Sequence, residues 1–184
     1  NLAVHLCDCR SVAVTPAETT EVSTASVVRC LFTQPGCEGN TMKIAVVQQP
    51  PVYLDLVKSM ARAVELVREA AAQGCAMVVF PETWLPGYPT FVWRLPPGAG
   101  MGKTDELYAL SQANSVDLSR DGLRPLQDAA KDHQVVIVVG YQELDGSLSG
   151  STLFNSCAII DADGRLANNH RKLMPTNPER MVWG

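Results

Sequence analysis

The sequence holds 184 residues, a length that fits one domain of ordinary size with a real buried core. Charged residues make up 18% and hydrophobic residues 46%, which is typical of a soluble globular protein and excludes a disordered acidic chain. A net charge of −4 gives no reason to expect nucleic acid or a membrane surface as a partner, and no apolar run reaches the ~20 residues that span a bilayer.

Residues 1–41 differ in character from the rest of the chain. They are rich in Ser, Thr and Val, contain no Lys, and hold four of the six cysteines, namely Cys7, Cys9, Cys30 and Cys37. We expect a poorly ordered leader or upstream extension here, with Met42 as a natural start of the domain. A disulfide framework is conceivable, but no secretory signal accompanies it and no zinc-ligand spacing occurs. We therefore expect a cytoplasmic protein without a structural metal.

From Met42 onward the pattern alternates between strands and helices. The run KIAVVQ, Lys43–Gln48, predicts a buried strand rich in β-branched residues. Asp55 is placed to cap a helix with apolar residues at helical spacing, and Gly74 to end it. The next apolar run, Cys75–Phe80, predicts a second buried strand. A strand, a helix and a strand in this order indicate a crossover unit with parallel strands.

The second part of the domain begins with a proline-rich loop over residues 81–102, long enough to be functional. Helical patterns follow at 104–115 and 123–133, and Val135–Tyr141 predicts a third strand. Thr152–Ile160 and Arg165–Lys172 predict two more strands, joined by the tight-turn sequence DADG. Parallel units followed by an antiparallel hairpin predict one α/β domain with a mixed sheet over residues 42–184.

Glu82 stands in the stretch FPETWLPGYP, directly after a predicted buried strand. Ligands and reactive groups collect at the carboxyl ends of strands in open α/β sheets. Surrounded by Phe80, Trp84 and Tyr88, the Glu82 carboxyl would have its pKa raised by desolvation and would suit a general base. A loop cap or the partner of a nearby Arg fits the same position equally well.

A second group of charged residues lies in HRKLMPTNPERMVWG, at the end of the sequence. Side chains alternate along a strand, so His170 and Lys172 share one face while Arg171 points to the other. Asn177 suits the cap of a following helix, with Glu179 near the positive end of the helix dipole. Without Glu82, this group would be interpreted as a solvated basic strand end and a helix-dipole glutamate.

Together, FPETWLPGYP and HRKLMPTNPER resemble the first and second catalytic motifs of the nitrilase family, within the carbon–nitrogen hydrolase superfamily. The stretches MKIAVVQ, AAAQGCAMVVFPE and LFNSCAIIDADGRLANNHRK resemble that family in order and spacing. The resemblance is continuous from Met42 to Gly184, and residues 1–41 show none. It implies the N-terminal portion of a four-layer α-β-β-α sandwich with a mixed sheet.

The resemblance also implies a role for each matching residue. Glu82 would be the general base that activates a cysteine thiol, Lys172 would stabilise the charge developing on the substrate, and Glu179 would assist positioning and proton transfer. A small-molecule nitrile would become a carboxylic acid and ammonia through a thioimidate and a thioester, without a metal or organic cofactor. Family members form dimers that build larger spirals, so we expect a homo-oligomer when the protein is complete.

One part of the family pattern is missing from the chain. The nucleophilic cysteine belongs to a Cys-Trp-Glu motif downstream of the second motif, and the sequence ends at Gly184 before reaching it. Cys75 and Cys157 fall in predicted buried strands, with nothing nearby to stabilise a thiolate. We therefore predict that this chain holds no nucleophile, is an incomplete nitrilase, and is inactive alone.

Two alternatives stay open at this point. An amidase or N-carbamoyl hydrolase of the same superfamily would use the same residues, although LPGYP and the sequence after Lys172 favour the nitrilase branch. A non-catalytic α/β interaction module would use Glu82 and Lys172 as a structural ion pair. The type of nitrile, whether aliphatic, aromatic or cyanide, depends on pocket residues that the sequence does not contain.

Overall fold

A computed structural model describes residues 14–15, 26–30, 42–95 and 101–184. Eight strands and four α-helices lie in these ranges, together with two short 3₁₀ helices at Leu118–Arg120 and Asn177–Met181. The strands are β1 (Val14–Thr15), β2 (Ser26–Cys30), β3 (Met42–Val46), β4 (Met77–Val79), β5 (Val116–Asp117), β6 (Val136–Leu144), β7 (Leu153–Ile160) and β8 (Leu166–Arg171). The helices are α1 (Leu56–Ala72), α2 (Phe91–Arg94), α3 (Met101–Ala113) and α4 (Arg124–His133).

All eight strands belong to one mixed sheet. The sequence predicts a mixed sheet but only five of its strands, since β1, β2 and β5 are not predicted. The strand order is β1-β2-β3-β4-β6-β7-β8, and the short β5 pairs with β6. Strands β3, β4 and β6 are parallel, which confirms the predicted crossover through α1. Strands β6, β7 and β8 are antiparallel, and residues 161–164 form the predicted tight turn between β7 and β8.

The start of the chain contributes strands that the sequence pattern does not indicate. Strand β2 pairs antiparallel with β3 over five residues, and β1 pairs with β2. The physical reason is that an open edge of β3 offers unpaired N–H and C=O groups, which any extended segment can satisfy. The sequence predicts a poorly ordered leader over residues 1–41. Its other residues, 1–13, 16–25 and 31–41, lie outside the described residues.

The two ends of α1 follow the chemistry expected from the sequence. The Asp55 side chain accepts a hydrogen bond from the Lys58 backbone N–H at 3.0 Å, which confirms the predicted cap. Gly74 directly after the helix has a φ of 77°, a left-handed conformation that glycine adopts without strain.

The predicted third strand is longer than expected, since β6 continues to Leu144.

The two faces of the sheet differ in how well they are covered. Helices α1 and α4 pack on one face, where alternate residues of β3, β4, β6 and β7 are fully buried in the main core. The other face is apolar but only half-buried over the middle of the sheet, and its residues are Ile44, Val46, Met77, Val79, Val136, Val138, Cys157 and Ile159. Within the described ranges, no helix is both long and apolar enough to cross a bilayer.

A glycine in β6 allows the chain to cross this half-buried face after β4. The Phe80 N–H bonds to the Val138 carbonyl and the Leu85 N–H to the Gly140 carbonyl, so residues 81–84 leave the sheet between two points of attachment. A Cβ at position 140 would lie 2.6 Å from the Thr83 nitrogen and 2.8 Å from the Glu82 Cα. Only glycine therefore lets the segment with Glu82 lie directly on β6.

We predict that Gly140→Ala lowers the free energy of unfolding by about 1–3 kcal/mol, because the added methyl group meets backbone atoms that have little freedom to move. Gly102→Ala is the matched control, since a Cβ at position 102 meets nothing within 4 Å and alanine suits a helix. We expect it to change stability by less than about 1 kcal/mol. Urea unfolding of both variants measures the difference, and equal midpoints would show that the crossing is loosely packed.

Candidate active site

Glu82 lies on the segment that crosses Gly140, at the carboxyl end of β4. Its neighbour Thr83 has a φ of 47°, an uncommon conformation for a β-branched residue. Thr83 is also fully buried, and its hydroxyl makes no hydrogen bond within the described part of the chain. Strain and an unsatisfied hydroxyl at one position indicate that the surrounding structure holds this segment in a set shape.

The structure brings all three residues predicted from the motifs together around the Lys172 ammonium. Lys172 Nζ lies 2.8 Å from Glu82 Oε1 and 3.0 Å from Glu179 Oε2. Glu82 comes from the crossing segment, Lys172 from the end of β8 and Glu179 from the 3₁₀ helix that follows. Lys172 points to the half-buried sheet face and Arg171 to the opposite face, as strand alternation predicts.

The short helix that carries Glu179 begins one residue earlier than expected. Thr176 is the cap, not the predicted Asn177, and the element is a 3₁₀ helix of five residues. The Thr176 backbone N–H donates to Glu179 Oε2 at 2.6 Å, which is one half of a capping box. The sequence carries that signal, because a Thr three residues before a Glu is the capping-box pattern. The Glu179 carboxylate therefore caps its own helix and binds Lys172.

Tyr88 supplies a further hydrogen bond to the same carboxylate. Its hydroxyl donates to Glu179 Oε1 at 2.6 Å, and the Trp93 indole N–H donates to the Tyr88 oxygen at 3.1 Å. The sequence predicts Tyr88 close to Glu82, and the two residues line one cavity. The hydrogen bond from Tyr88 to Glu179 is a contact that sequence spacing does not reveal.

Trp183 anchors the segment that carries Glu179 to the sheet. Its ring packs edge-on against Tyr88, and its indole N–H donates to Gln142 Oε1 at 3.0 Å. Gln142 is fully buried in β6, and its amide nitrogen donates to the hydroxyls of Ser111 and Ser115 at the end of α3. A buried amide that is satisfied on both sides fixes the geometry around it. The segment that carries Glu179 is thus held by β6 and, through Gln142, by the end of α3.

The electrostatics of Lys172 and Glu179 favour the charged form of both. Burial alone would lower the pKa of Lys172, but its hydrogen bonds with Glu82 and Glu179 outweigh this and raise the pKa above its ordinary value. Burial alone would raise the pKa of Glu179, but donation from Tyr88, Thr176 and Lys172 lowers it to about 2. At neutral pH the site therefore holds an ammonium fixed by an ionised carboxylate.

Glu82 has surroundings that differ from the expected ones. Its side chain is 53% exposed, because Phe80 and most of Trp84 pack into the main core and Trp84 only lines a cavity beside the carboxylate. The predicted desolvation of Glu82 by aromatic neighbours is therefore wrong for this chain. Asn155 in β7 donates to Glu82 Oε1 at 2.7 Å, a contact that no sequence pattern indicates. Glu82 Oε2 accepts no hydrogen bond from the described residues, so it is available to receive a proton.

Two cavities lie beside these residues. One has a volume of about 300 Å³ and is lined by apolar and polar groups that include Pro50, Pro51, Glu82, Trp84 and Tyr88. The other, about 230 Å³, is lined by residues that include Asn155, Cys157, His170 and Lys172. Spaces of this size suit a small molecule. In the part of the chain that the structure describes, no group of three or more His, Cys, Asp or Glu residues could hold a metal ion.

The sequence profile of the family described as Carbon-nitrogen hydrolase matches residues 43–184. The chain belongs to the carbon–nitrogen hydrolase family. Its match ends with the last residue and leaves out the leader, in agreement with the resemblance found from the motifs.

Several curated members of the carbon–nitrogen hydrolase family are similar to this chain. An aliphatic nitrilase of Rhodococcus rhodochrous is 42% identical over 145 residues, which are 79% of this chain and 38% of that protein. An arylacetonitrilase of Aspergillus niger is 34% identical over 143 residues, and a cyanide hydratase of Pyrenophora teres f. teres 31% over 142 residues. These matches cover 78% and 77% of this chain, and 40% and 37% of those proteins. The chain spans about two fifths of the length of these relatives.

Solved structures of the carbon–nitrogen hydrolase family share the fold. A double mutant of the amidase from Nesterenkonia sp. AN1, in complex with acrylamide, superposes with a TM-score of 0.54 at 15% identity. The match covers 82% of this chain and 50% of that chain. The N-terminal portion of a nitrilase-type sandwich, predicted from the sequence, is therefore confirmed.

We predict that Glu179→Gln destabilises the protein at pH 7 and that this effect shrinks in acid. The folded-state pKa of Glu179, about 2, lies below its ordinary value of 4.5. The ionised carboxylate therefore contributes stability that is fully present above pH 4.5 and is lost as the pH falls towards 2. Urea unfolding at pH 7, 4 and 2.5 measures the difference between variant and wild type. A difference that stays constant over this range would contradict the assignment.

Proposed function

We propose that this chain carries the base, the lysine and the second glutamate of an active site that hydrolyses nitriles to carboxylic acids and ammonia. The observation that carries the proposal is the Lys172 ammonium, which lies between the carboxylates of Glu82 and Glu179. A base with a free oxygen next to a fixed cation is what attack on a weakly electrophilic carbon requires.

The first step forms a bond between a cysteine sulfur and the nitrile carbon. Glu82 Oε2 takes the thiol proton, and the thiolate adds to the carbon while one C–N π bond opens. The electron pair moves onto the nitrogen, where the Lys172 ammonium stabilises it, and transfer of the thiol proton from Glu82 Oε2 to this nitrogen gives a thioimidate. Glu179 takes no part in bond making here, because its low pKa keeps it ionised and suits it to hold Lys172 in place.

Two molecules of water complete the reaction. The first adds to the thioimidate carbon, and ammonia leaves to give a thioester. The second attacks the thioester carbonyl, which releases the carboxylic acid and returns the proton to the thiol. Glu82 can accept a proton from each water in turn and pass it to the leaving group. No metal or organic cofactor takes part in the proposed steps.

The nucleophilic thiol in this proposal comes from sequence that this chain does not include. Cys75 is buried at the amino end of β4, the opposite end from Glu82, and burial raises the pKa of its thiol. Cys157 is half-buried, lies on the site's face of the sheet opposite Gly140, and is less enclosed than a core residue. Burial also raises the pKa of its thiol, and within the described residues Cys157 makes no hydrogen bond to Glu82 or Lys172.

A nitrile fits the observations better than an amide as the substrate. The curated relatives at 31–42% identity are named for nitriles or cyanide, whereas the amidases are matched only at the level of the fold. The site residues themselves would serve both bonds, since each reaction passes through a thioester and releases an amine or ammonia. The non-catalytic alternative is less well supported, because a structural ion pair needs neither a third charged group nor a free carboxylate oxygen.

We predict that Glu82→Gln in the protein with its complete coding sequence lowers kcat for ammonia release from a nitrile by about 10²–10⁴-fold, because the amide cannot take a proton. Glu65→Gln is the matched control, since the Glu65 side chain is also 53% exposed and also binds a cation, Arg68, but lies on α1 away from the site. Its kcat should equal that of wild type. Wild-type activity in Glu82→Gln would exclude Glu82 as the base.

We predict further that Cys157→Ser in the complete protein retains nitrile hydrolysis, and that the purified 184-residue chain releases no ammonia above a Glu82→Ala control. Ammonia is measured by a coupled assay, with circular dichroism to verify that each sample is folded. Loss of activity in Cys157→Ser, together with activity of the short chain, would instead identify Cys157 as the nucleophile.

A further inference from the structure

A buried carboxylate that the proposed reaction does not use lies on the opposite face of the sheet from Lys172. Glu143 in β6 is only 3% exposed, and four donors surround it. Arg171 donates to Oε1 through Nε at 3.1 Å and through Nη2 at 2.6 Å. Ser156 Oγ and Asn169 Nδ2 donate to Oε2 at 2.5 Å and 3.1 Å. The carboxylate thus has charge compensation and hydrogen bonds on both oxygens.

The Arg171 guanidinium is held from more than one direction. Its central carbon lies 4.0 Å from the centroid of the Phe154 ring, a cation–π distance. Asn169 is oriented by the buried Tyr141, whose hydroxyl donates to Asn169 Oδ1 at 2.7 Å and so turns the amide nitrogen towards Glu143. The participants come from β6, β7 and β8, so the cluster ties three neighbouring strands together on one face.

The electrostatics of the cluster show that it is built for a charged pair. Burial alone would raise the pKa of Glu143, but donation from Arg171, Ser156 and Asn169 lowers it below its ordinary value. The Arg171 side chain is 44% exposed, so solvent weakens the attraction between the two charges, whereas its fork-shaped bonds to the buried Glu143 fix direction and register. Geometry, more than stability, is therefore what such a cluster supplies.

Lys172 directly follows Arg171, and the proposed reaction depends on where its ammonium group lies. Lys172 makes the last backbone bond of its strand, from its N–H to the Asn155 carbonyl at 2.8 Å. Beyond it the chain leaves the sheet, and Leu173 and Met174 are 89% and 70% exposed. Strand ends of this kind fray unless something holds them. Arg171 and Lys172 point to opposite faces, so fixing the guanidinium on one face fixes the direction of the ammonium on the other.

We propose that Glu143 is a positioning residue that acts through Arg171 to hold the Lys172 ammonium between Glu82 and Glu179. The inference rests on the proposed function of Lys172, and it adds the ion pair between the buried Glu143 and Arg171, on the other face of the sheet, to the residues on which that function depends. Glu143 does not touch the substrate. Its effect reaches the reaction only through the strand that carries Arg171 and Lys172.

The test uses Glu143→Gln and Arg171→Lys in the protein with its complete coding sequence. Glu143→Gln removes the charge at constant size, and Arg171→Lys keeps the charge but loses the fork. A displacement of Lys172 by even 1 Å should lower kcat for nitrile hydrolysis by about 10- to 100-fold in each variant. KM should stay within about twofold, since Lys172 acts on charge that develops after binding.

The second measurement does not depend on catalysis. Glutamate labelled with ¹³C at the carboxyl carbon reports the titration of Glu179, which Lys172 helps to hold near 2. If Lys172 is displaced, the pKa of Glu179 rises towards its ordinary value in both variants. A variant that merely unfolds more easily would keep the wild-type titration in its folded form. Should Glu143→Gln fail to fold, Arg171→Lys decides the question.

Asp161→Asn is the matched control. Asp161 pairs with Arg165 at the other end of the same β7–β8 hairpin, so its loss removes an ion pair from the same strands far from Lys172. We expect wild-type kcat and a wild-type titration of Glu179 in this variant. An unchanged Glu179 titration in Arg171→Lys would overturn the positioning role. Absence of nitrile hydrolysis in the wild-type protein would contradict the proposed function alone, because the titration would still test the position of Lys172.

Discussion

The site depends on one ammonium group that two carboxylates share. Lys172 Nζ reaches both Glu82 and Glu179 only because three separate segments end at the same place on the sheet. Each charge would be costly to hold in a partly buried position without the others, and each carboxylate lowers the cost of burying the ammonium. Glu179 accepts further hydrogen bonds from Tyr88 and Thr176, whereas Glu82 Oε2 accepts none from the described residues. In the proposed reaction, this difference makes Glu179 the carboxylate that holds Lys172 and Glu82 the base.

The fold holds each of the three charges by a different device. Glu82 is carried on a strained segment that presses against Gly140, and Asn155 fixes one of its oxygens. Glu179 is held by its own capping box and by the hydroxyl of Tyr88. Lys172 directly follows β8, an edge strand that pairs with β7 alone among the described strands. In our proposal, the cluster around Glu143 on the reverse face of the sheet holds Lys172 in place through Arg171.

Much of this arrangement could be predicted from the sequence, and the contacts that could not be predicted depend on residues that lie far apart along the chain. The five strands from β3 onward other than β5, the crossover helix and the hairpin are predictable because apolar runs, Asp55, Gly74 and the DADG turn are local signals. The motifs likewise indicated Glu82, Lys172 and Glu179. Asn155 and Tyr88 could not be assigned, because their partners lie far along the chain. The exposure of Glu82 differs from the expected one, because strand alternation would place Glu82 on the same face as Phe80, whereas residues 81–84 leave the sheet and carry the carboxylate over the other face.

The crossing over Gly140 bears on how such a protein can be engineered. In a library that randomises β6, any residue other than glycine at position 140 would displace the backbone of Glu82 and Thr83. Such variants would resemble variants of Glu82 itself, although position 140 carries no side chain in the wild type and lies outside the reacting groups. Residue choice on β6 is therefore coupled to the shape of the segment with Glu82. Exploring them together, with glycine retained at 140 or the segment lengthened, is the way to vary this face without moving the carboxylate.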